Sequence, residues 1–177
     1  MTFELQPTLT GKLLELRPLR ADDFEALREA ASDPLIWEQH PDRRYERPVF
    51  ERFWKGAIES GGALAAIDRQ TQKVIGTSRY SNLVPGEQVE IGWTFLERAY
   101  WGGDYNGEMK RLMLEHAFRF VGRVVFTVAE KNLRSQKAVQ KIGGVLVGKG
   151  ERPGADGEMQ SNVTFAITKE KWKQAHA

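Results

Sequence analysis

Apolar and polar positions alternate in several short stretches of the chain and switch to a helical period between them, so its elements can be read in order. Leu13 to Pro18 alternates and predicts a strand. Arg20-Ala21-Asp22-Asp23 then gives an acidic helix start, with Phe24, Leu27 and Ala31 following at helical spacing. Between Asp33 and Arg47 no period holds, and Pro34 and Pro41 point to a loop with short helical pieces. Val49 to Ser60 places Phe50, Phe53, Trp54, Ala57 and Ile58 on one side, a second helix closed by Gly61-Gly62. Three strands follow, Ala63 to Asp68, Val74 to Asn82 and Glu87 to Leu96. Their short connections, Arg69 to Gln72 and Pro85-Gly86, predict an antiparallel meander.

The next stretch, Arg98-Ala-Tyr-Trp-Gly-Gly-Asp-Tyr-Asn-Gly-Glu108, is a glycine-rich turn leading into a helix from about Tyr105 to Val121. That helix carries Tyr105, Met109, Leu112, Met113, Ala117 and Phe120 on one face, with Lys110, Arg111 and Arg119 elsewhere. Val124 to Ala129 reads as a buried strand parallel to the one before the helix, which makes a strand-helix-strand crossover. Asn132 can cap a further helix whose Ser135, Ala138, Val139 and Ile142 share one face, stopped by Gly143-Gly144. Val145 to Lys149 and Ser161 to Thr168 predict a strand pair joined by a polar loop, Gly150 to Gln160. The expected architecture is one α/β domain over residues 1–177.

Composition narrows the chemistry. The 177 residues carry a formal net charge of +2 with scattered basic positions, too little for tracking a nucleic acid backbone. The absence of cysteine excludes disulfides, zinc-thiolate sites and thiol catalysis. His40, His116 and His176 lack ligand-like spacing, so no metal is expected. Neither a secretory start nor a membrane span is evident, and a cytoplasmic protein is the expectation.

A glycine turn at a helix N-terminus points backbone amides and the positive end of the helix dipole at one place, an anion site. The nucleotide P-loop, the dinucleotide fingerprint and the nucleophile elbow are all missing. The order of elements, the Glu90-Ile91-Gly92-Trp93 strand, the Trp101-Gly102-Gly103 turn and Asn132-Leu133-Arg134-Ser135 together resemble a GNAT N-acetyltransferase of the RimJ/RimL-like, ribosomal-protein-acetylating branch. The resemblance extends from Leu14-Glu15-Leu16-Arg17-Pro18-Leu19 over nearly the whole chain. It implies a mixed, mainly antiparallel sheet with helices on both faces and one splayed parallel strand pair.

It also implies acetyl-CoA as cosubstrate, without a metal, and a primary amine as acceptor, either a small molecule or a protein N-terminus. Trp101, Gly102, Gly103, Asp104, Tyr105 and Asn106 match the family turn that holds the CoA pyrophosphate. Asp104 and Asn106 depart from its glycine pattern. A carboxylate about 4 Å from a diphosphate charge would be repelled by about 4 kcal/mol at an effective dielectric of 20. The Asp104 side chain is therefore expected to point away and to cap the helix. Trp93, Thr94 and Phe95 match the strand whose backbone lies beside the pantetheine arm. Asn132 matches a position reaching that arm, and Ser135 a hydroxyl close to the sulfur.

Transfer to an amine requires a proton acceptor and stabilisation of the leaving thiolate. Glu90 shares a strand face with Gly92 and Thr94, opposite Val89, Ile91 and Trp93, and is the candidate base, acting through water. Ser135 is the candidate partner of the thiolate. Trp37, His40, Arg43, Arg79 and Tyr80 are candidates for the acceptor pocket, and Arg98 and Lys110 for the CoA phosphates. Relatives in this branch often pair as dimers, so a homodimer partner is admitted. Two alternatives stand beside transfer: a non-catalytic acyl-CoA-binding module, and another phosphate-ligand enzyme using the same turn.

Overall fold

All six positions of the strand Ala63–Asp68 are buried, which requires cover on both faces of the sheet that contains it. The computed structural model describes residues 1–154 and 157–177 and supplies that cover. Its strands are β1 (Leu9–Thr10), β2 (Leu14–Pro18), β3 (Ala63–Asp68), β4 (Val74–Val84), β5 (Gln88–Leu96), β6 (Arg123–Ala129), β7 (Val145–Pro153) and β8 (Met159–Thr168). They form one sheet in the order β1-β2-β3-β4-β5-β6-β8-β7. The β5–β6 pair is parallel and every other neighbouring pair antiparallel, as a mixed, mainly antiparallel sheet requires.

The helices are α1 (Phe24–Ala30), α2 (Arg47–Ser60), α3 (Tyr105–Ala117), α4 (Leu133–Lys141) and α5 (Lys169–Ala175). Alternation along β3 divides the core in two. Leu64 and Ala66 join Met109 and Met113 of α3 and Trp172 of α5, whereas Ala63, Ala65 and Ile67 join Leu27 of α1 and Phe50, Phe53 and Ala57 of α2. Helices therefore cover both faces; Phe50, Phe53 and Ala57 of the predicted α2 stripe and Met109, Met113 and Ala117 of the α3 stripe are buried, whereas Ile58, in the last turn of α2, is exposed.

Several boundaries differ from those predicted. α3 ends at Ala117, not Val121, yet Phe118 and Val121 are still buried; the apolar spacing continues through the turn after the last helical residue. The polar connection expected over Gly150 to Gln160 is largely strand, because β7 and β8 extend their antiparallel ladder to the Pro153–Met159 pair. Positions 155 and 156 of that connection lie outside the described residues. The helix α5 has no counterpart among the predicted elements; its N-terminus is capped by Thr168 accepting from the Lys171 amide at 3.3 Å.

One carboxylate ties the first strands to α3. Glu108 accepts from the backbone amides of Lys12 at 2.7 Å and of Leu13 and Leu14 at 2.9 Å each. Gly11 is required beside it, since a Cβ there would lie 2.4 Å from the Glu108 carboxyl carbon. The glutamate anchors the entry to β2 against the helix that follows the glycine turn. Hydrogen bonds to a charged acceptor are among the stronger ones, and their loss strands the donors. Glu108→Ala is expected to cost about 2–4 kcal/mol, lowering the melting temperature by roughly 5–15 °C for a chain of this size; Glu108→Gln should recover part. A calorimetric melt unchanged by Glu108→Ala would show the anchor to be dispensable.

Candidate active site

Pairing between β5 and β6 begins at Gln88 and Arg123 and stops at Glu90 and Val125. β5 nevertheless continues to Leu96 and β6 to Ala129, so the two strands part in the middle of the sheet. Just beyond the parting, β5 is bulged. Its register with β4 shifts between Thr77 and Arg79, and Trp93 takes a φ of 56°, a left-handed conformation that costs a non-glycine residue on the order of 1 kcal/mol or more. The bulge reverses the expected alternation. Trp93 packs with Phe53 and the two arginines Arg44 and Arg79 on the α2 side, while the Thr94 hydroxyl meets Ser78 at 2.8 Å and the Lys110 ammonium at 3.1 Å on the α3 side. The face predicted for Glu90, Gly92 and Thr94 thus ends before Thr94, because period-2 reading cannot see an inserted residue.

The parting opens a cleft of about 1350 Å³. Of the residues singled out above for cofactor, catalysis and acceptor, Trp37, His40, Arg79, Glu90, Trp93, Thr94, Phe95, Trp101, Gly102, Gly103, Asp104, Asn106, Asn132 and Ser135 all line it. Tyr80 does not. It is 1 % exposed, its hydroxyl donates to the Met113 carbonyl at 2.6 Å and its ring meets Phe3 edge-on, because β4 turns it toward α3. Tyr105 also points elsewhere, donating from its hydroxyl to Asp68 at 3.2 Å, so only its backbone is available at the turn. Arg43 is exposed and outside the cleft; its neighbour Arg44 enters instead. Arg98, expected near phosphates, is engaged by Asp33.

At the far end of β5 lies the glycine turn. Gly102 adopts a φ of 75°, which a side chain would strain, and Gly102, Gly103 and Asp104 are exposed ahead of α3. Asp104 occupies the N-cap position but forms no side-chain cap bond, contrary to expectation; its φ of −96° and ψ of −3° are helical rather than the extended geometry that aims a cap side chain back at the amides. Trp101 is fixed by donating from its indole to the Leu96 carbonyl at 2.8 Å, and the Arg134 guanidinium lies 4.4 Å from its ring centre. Asn132 caps α4 as predicted, accepting from the Ser135 amide at 3.3 Å.

Glu90 sits at the vertex of the parting, 3 % exposed. Arg152 of β7 grips both carboxylate oxygens, at 2.6 Å and 3.0 Å, and the hydrogen bond raises the arginine's pKa above its usual value. Across the cleft, burial pushes the His40 pKa down to about 3, with Arg44 pushing the same way, and its Nδ1 accepts from the Asp42 amide at 2.9 Å. His40 is therefore a neutral imidazole. The segment that carries it is fastened at two points: Gln39 accepts from the Arg134 amide at 3.0 Å, and Gln160 donates to Asp42 at 3.3 Å.

The family model for the acetyltransferase (GNAT) domain matches residues 14–145, about three quarters of the chain. The chain belongs to the GNAT family of acetyltransferases. Solved GNAT structures share its fold. A GCN5-related N-acetyltransferase from Brucella melitensis superposes with a TM-score of 0.83 at 19 % identity, covering 95 % of this chain and 81 % of that one. A putative acetyltransferase from T. thermophilus gives 0.78 at 26 % identity, covering 94 % and 92 %. RimJ of Mycobacterium smegmatis, solved in complex with CoA-disulfide, gives 0.68 at 20 % identity, covering 94 % and 88 %.

Among the residues that line this GNAT cleft, Arg44, Phe53, Lys110 and Arg152 carry charge or a ring into it and are not among the candidates drawn from the sequence for its acceptor or catalytic end. Phe53 belongs to the predicted core stripe of its helix, which it also joins. Lys110, expected at the phosphates, has a legible signal for burial, since Lys110, Met113, Leu114 and Ala117 stand at i, i+3, i+4 and i+7 and all are buried. Arg152 carries no local signal; only its pairing with Gln160 across the hairpin brings it to Glu90.

Lys110 is 6 % exposed, and burial lowers its pKa from 10.5 to about 8. Below about pH 8 both folded and unfolded chains hold the proton, so the burial penalty is fully present; between about 8 and 10.5 the unfolded chain binds more protons and stability rises with pH. The penalty corresponds to roughly 3 kcal/mol. Lys110→Met is expected to stabilise the protein at pH 7 by up to that amount and to flatten the rise between pH 8 and 10.5, as read by urea unfolding across that range. An unfolding midpoint in the variant that keeps the wild-type pH slope would remove Lys110 as its source.

Proposed function

We propose that this acetyltransferase uses acetyl-CoA and acetylates a primary amine by direct attack. The observation that carries the reading is the parting of β5 from β6 beyond Glu90 and Val125, set above an exposed glycine turn at the N-terminus of α3. Backbone groups in the middle of a sheet need partners, and an extended arm lying along β5 would supply them. The amides of residues 101–106 would hold the pyrophosphate, with the α3 dipole behind them. Asp104 is exposed and keeps its hydration, so it does not force a carboxylate onto the phosphates. Trp93, Thr94 and Phe95 would offer backbone contacts to the arm and an amide to the acetyl oxygen. Asn132 and Ser135 would meet the arm from α4.

Acetyl-CoA brings the activated thioester. In the transfer the amine nitrogen gains the acetyl carbon, the carbon–sulfur bond breaks, the amine gives up a proton and the thiolate takes one. Glu90 is the proposed acceptor of the amine proton, through water, and Ser135 the proposed donor to sulfur. Arg152 holds the Glu90 carboxylate in place by donating to both of its oxygens. Trp37, His40 and Arg79 line the end of the cleft proposed for the acceptor. Among the described residues no helix is long and apolar enough to cross a membrane, and none of their acidic or histidine clusters could hold a metal.

The Glu90–Arg152 pair favours a second reading, a non-catalytic acyl-CoA-binding module, because both oxygens of the proposed proton acceptor already hold the arginine. Thiol release separates the two without background, since the chain has no cysteine. Free thiol should appear when acetyl-CoA and a primary amine are mixed with the protein. Glu90→Gln should lower kcat by about 100-fold or more, with the calorimetric Kd for CoA changed less than about twofold. Ser135→Ala should reduce kcat more than it weakens CoA binding. Tight CoA binding with no thiol from any amine would favour the module, and failure to bind CoA would remove both readings.

A further inference from the structure

The irregular segment after α1 and the middle of β4 bring two arginines to the acceptor end of the cleft. Arg44 is 4 % exposed and Arg79 6 %. Their guanidinium carbons stand 4.4 Å from the Phe53 ring centre and 4.4 Å from the Trp93 ring centre, respectively. Arg44 has Asp42 at 3.7 Å. Arg79 has no carboxylate in ion-pair range among the described residues, and its Nε and Nη2 are buried without an acceptor.

Burial of this kind is costly, and it lowers both arginine pKa values to about 10, each acquiring no compensation from the other. Stacking does not account for it. A ring face attracts the guanidinium through its flat side, whereas the N–H donors project in the plane and remain unsatisfied. With His40 neutral, Asp42 is the one carboxylate in ion-pair range of either arginine among the described residues, which leaves surplus positive charge on this pair. The in-plane donors of an arginine match the paired oxygens of a carboxylate or phosphate.

We propose that the acceptor amine carries a second, anionic group, a carboxylate or a phosphate, which Arg79 binds with Arg44 beside it while the amine faces the parting of β5 and β6. The assignment rests on the transfer reading above and narrows it. Acceptors with several positive charges, such as polyamines and aminoglycosides, meet like charge in a site of low dielectric and are disfavoured. The anion can belong to a free small molecule or to the acidic first residue of a peptide, and both present the same chemistry to Arg79.

Matched pairs of amines that differ in that group alone provide the test. β-Alanine is compared with β-alaninamide, O-phosphoethanolamine with ethanolamine, and the amidated peptide Asp-Ala-Ala with Asn-Ala-Ala, by thiol release from acetyl-CoA. The anionic member of at least one pair should show kcat/KM about tenfold higher or more, mainly through KM; the pair that responds identifies the source. Arg79→Gln should bring that ratio toward one and Arg79→Lys should retain part of it, with the CoA Kd of each variant confirming its fold. The same pairs are titrated calorimetrically into protein saturated with CoA, which reads binding without turnover. Anionic members that bind preferentially while no amine releases thiol would sink transfer and leave only the anion site at Arg79 standing. Turnover without charge preference would do the reverse. Spermidine outperforming every anionic amine, or equal losses on both members of a pair in Arg79→Gln, would overturn the proposal, as would the absence of preferential binding in every pair.

Discussion

A sheet that is covered on both faces has no water inside it to satisfy the edges of its strands, so a gap between two central strands must be filled by something else. The parting of β5 and β6 after Glu90 and Val125 is such a gap, and the arrangement of the molecule follows from it. Five antiparallel strands hold one side of the gap and the β8–β7 pair braces β6 on the other. The crossover helix α3 starts at the far end of β5, which puts its N-terminus and the glycine turn at the mouth. The return helix α4 starts at the far end of β6 and faces it. An extended ligand can therefore meet a peptide backbone along its length and a helix dipole at one end, the two kinds of partner that carry no side-chain cost.

The cleft has two electrostatic compartments divided by the bulge at Trp93. On the α3 side Lys110 is buried with Thr94 as its hydrogen-bond partner, and on the α2 side Arg44 and Arg79 are stacked on aromatic rings. The one carboxylate at the vertex, Glu90, is neutralised by Arg152. Uncompensated positive charge in the interior works against folding, and each of these groups is displaced toward its neutral form. Such charges are kept most readily where an anion arrives to share them. On the proposed reading the mouth would take the phosphates of a nucleotide-bearing thioester and the inner end a smaller acid.

Much of this is legible in the chain because the elements have strong periods. β3, β4, the Asn132 cap and the return to β6 beside β5 form as expected, and β5 does so up to the bulge at Trp93. The failures share one cause, which is that direction in space depends on events outside the local period. Arg43 and Arg44 are adjacent and chemically alike, yet one is exposed and the other buried, and only the packing of Trp37 and Phe53 decides which. Proximity to Arg79 suggests the pocket for Tyr80, but neighbours on a strand face opposite ways. Lys110 lies off the stripe named from the sequence although it continues an apolar one of its own. Arg152 reaches Glu90 from a hairpin whose strand character comes from pairing rather than from alternation of its own.

The single inserted residue at Trp93 also sets how this protein can change over evolutionary time. Because Trp93 and Thr94 serve opposite sides of the sheet, losing one residue from β5 would exchange the side chains presented to the two compartments. Substitutions at Phe53, Arg79 or Trp93 alter only the inner compartment and leave the glycine turn untouched. On the proposed reading the bulge thus separates the acceptor end of the site from the donor end, so that descendants could diverge in what they modify while inheriting the donor unchanged.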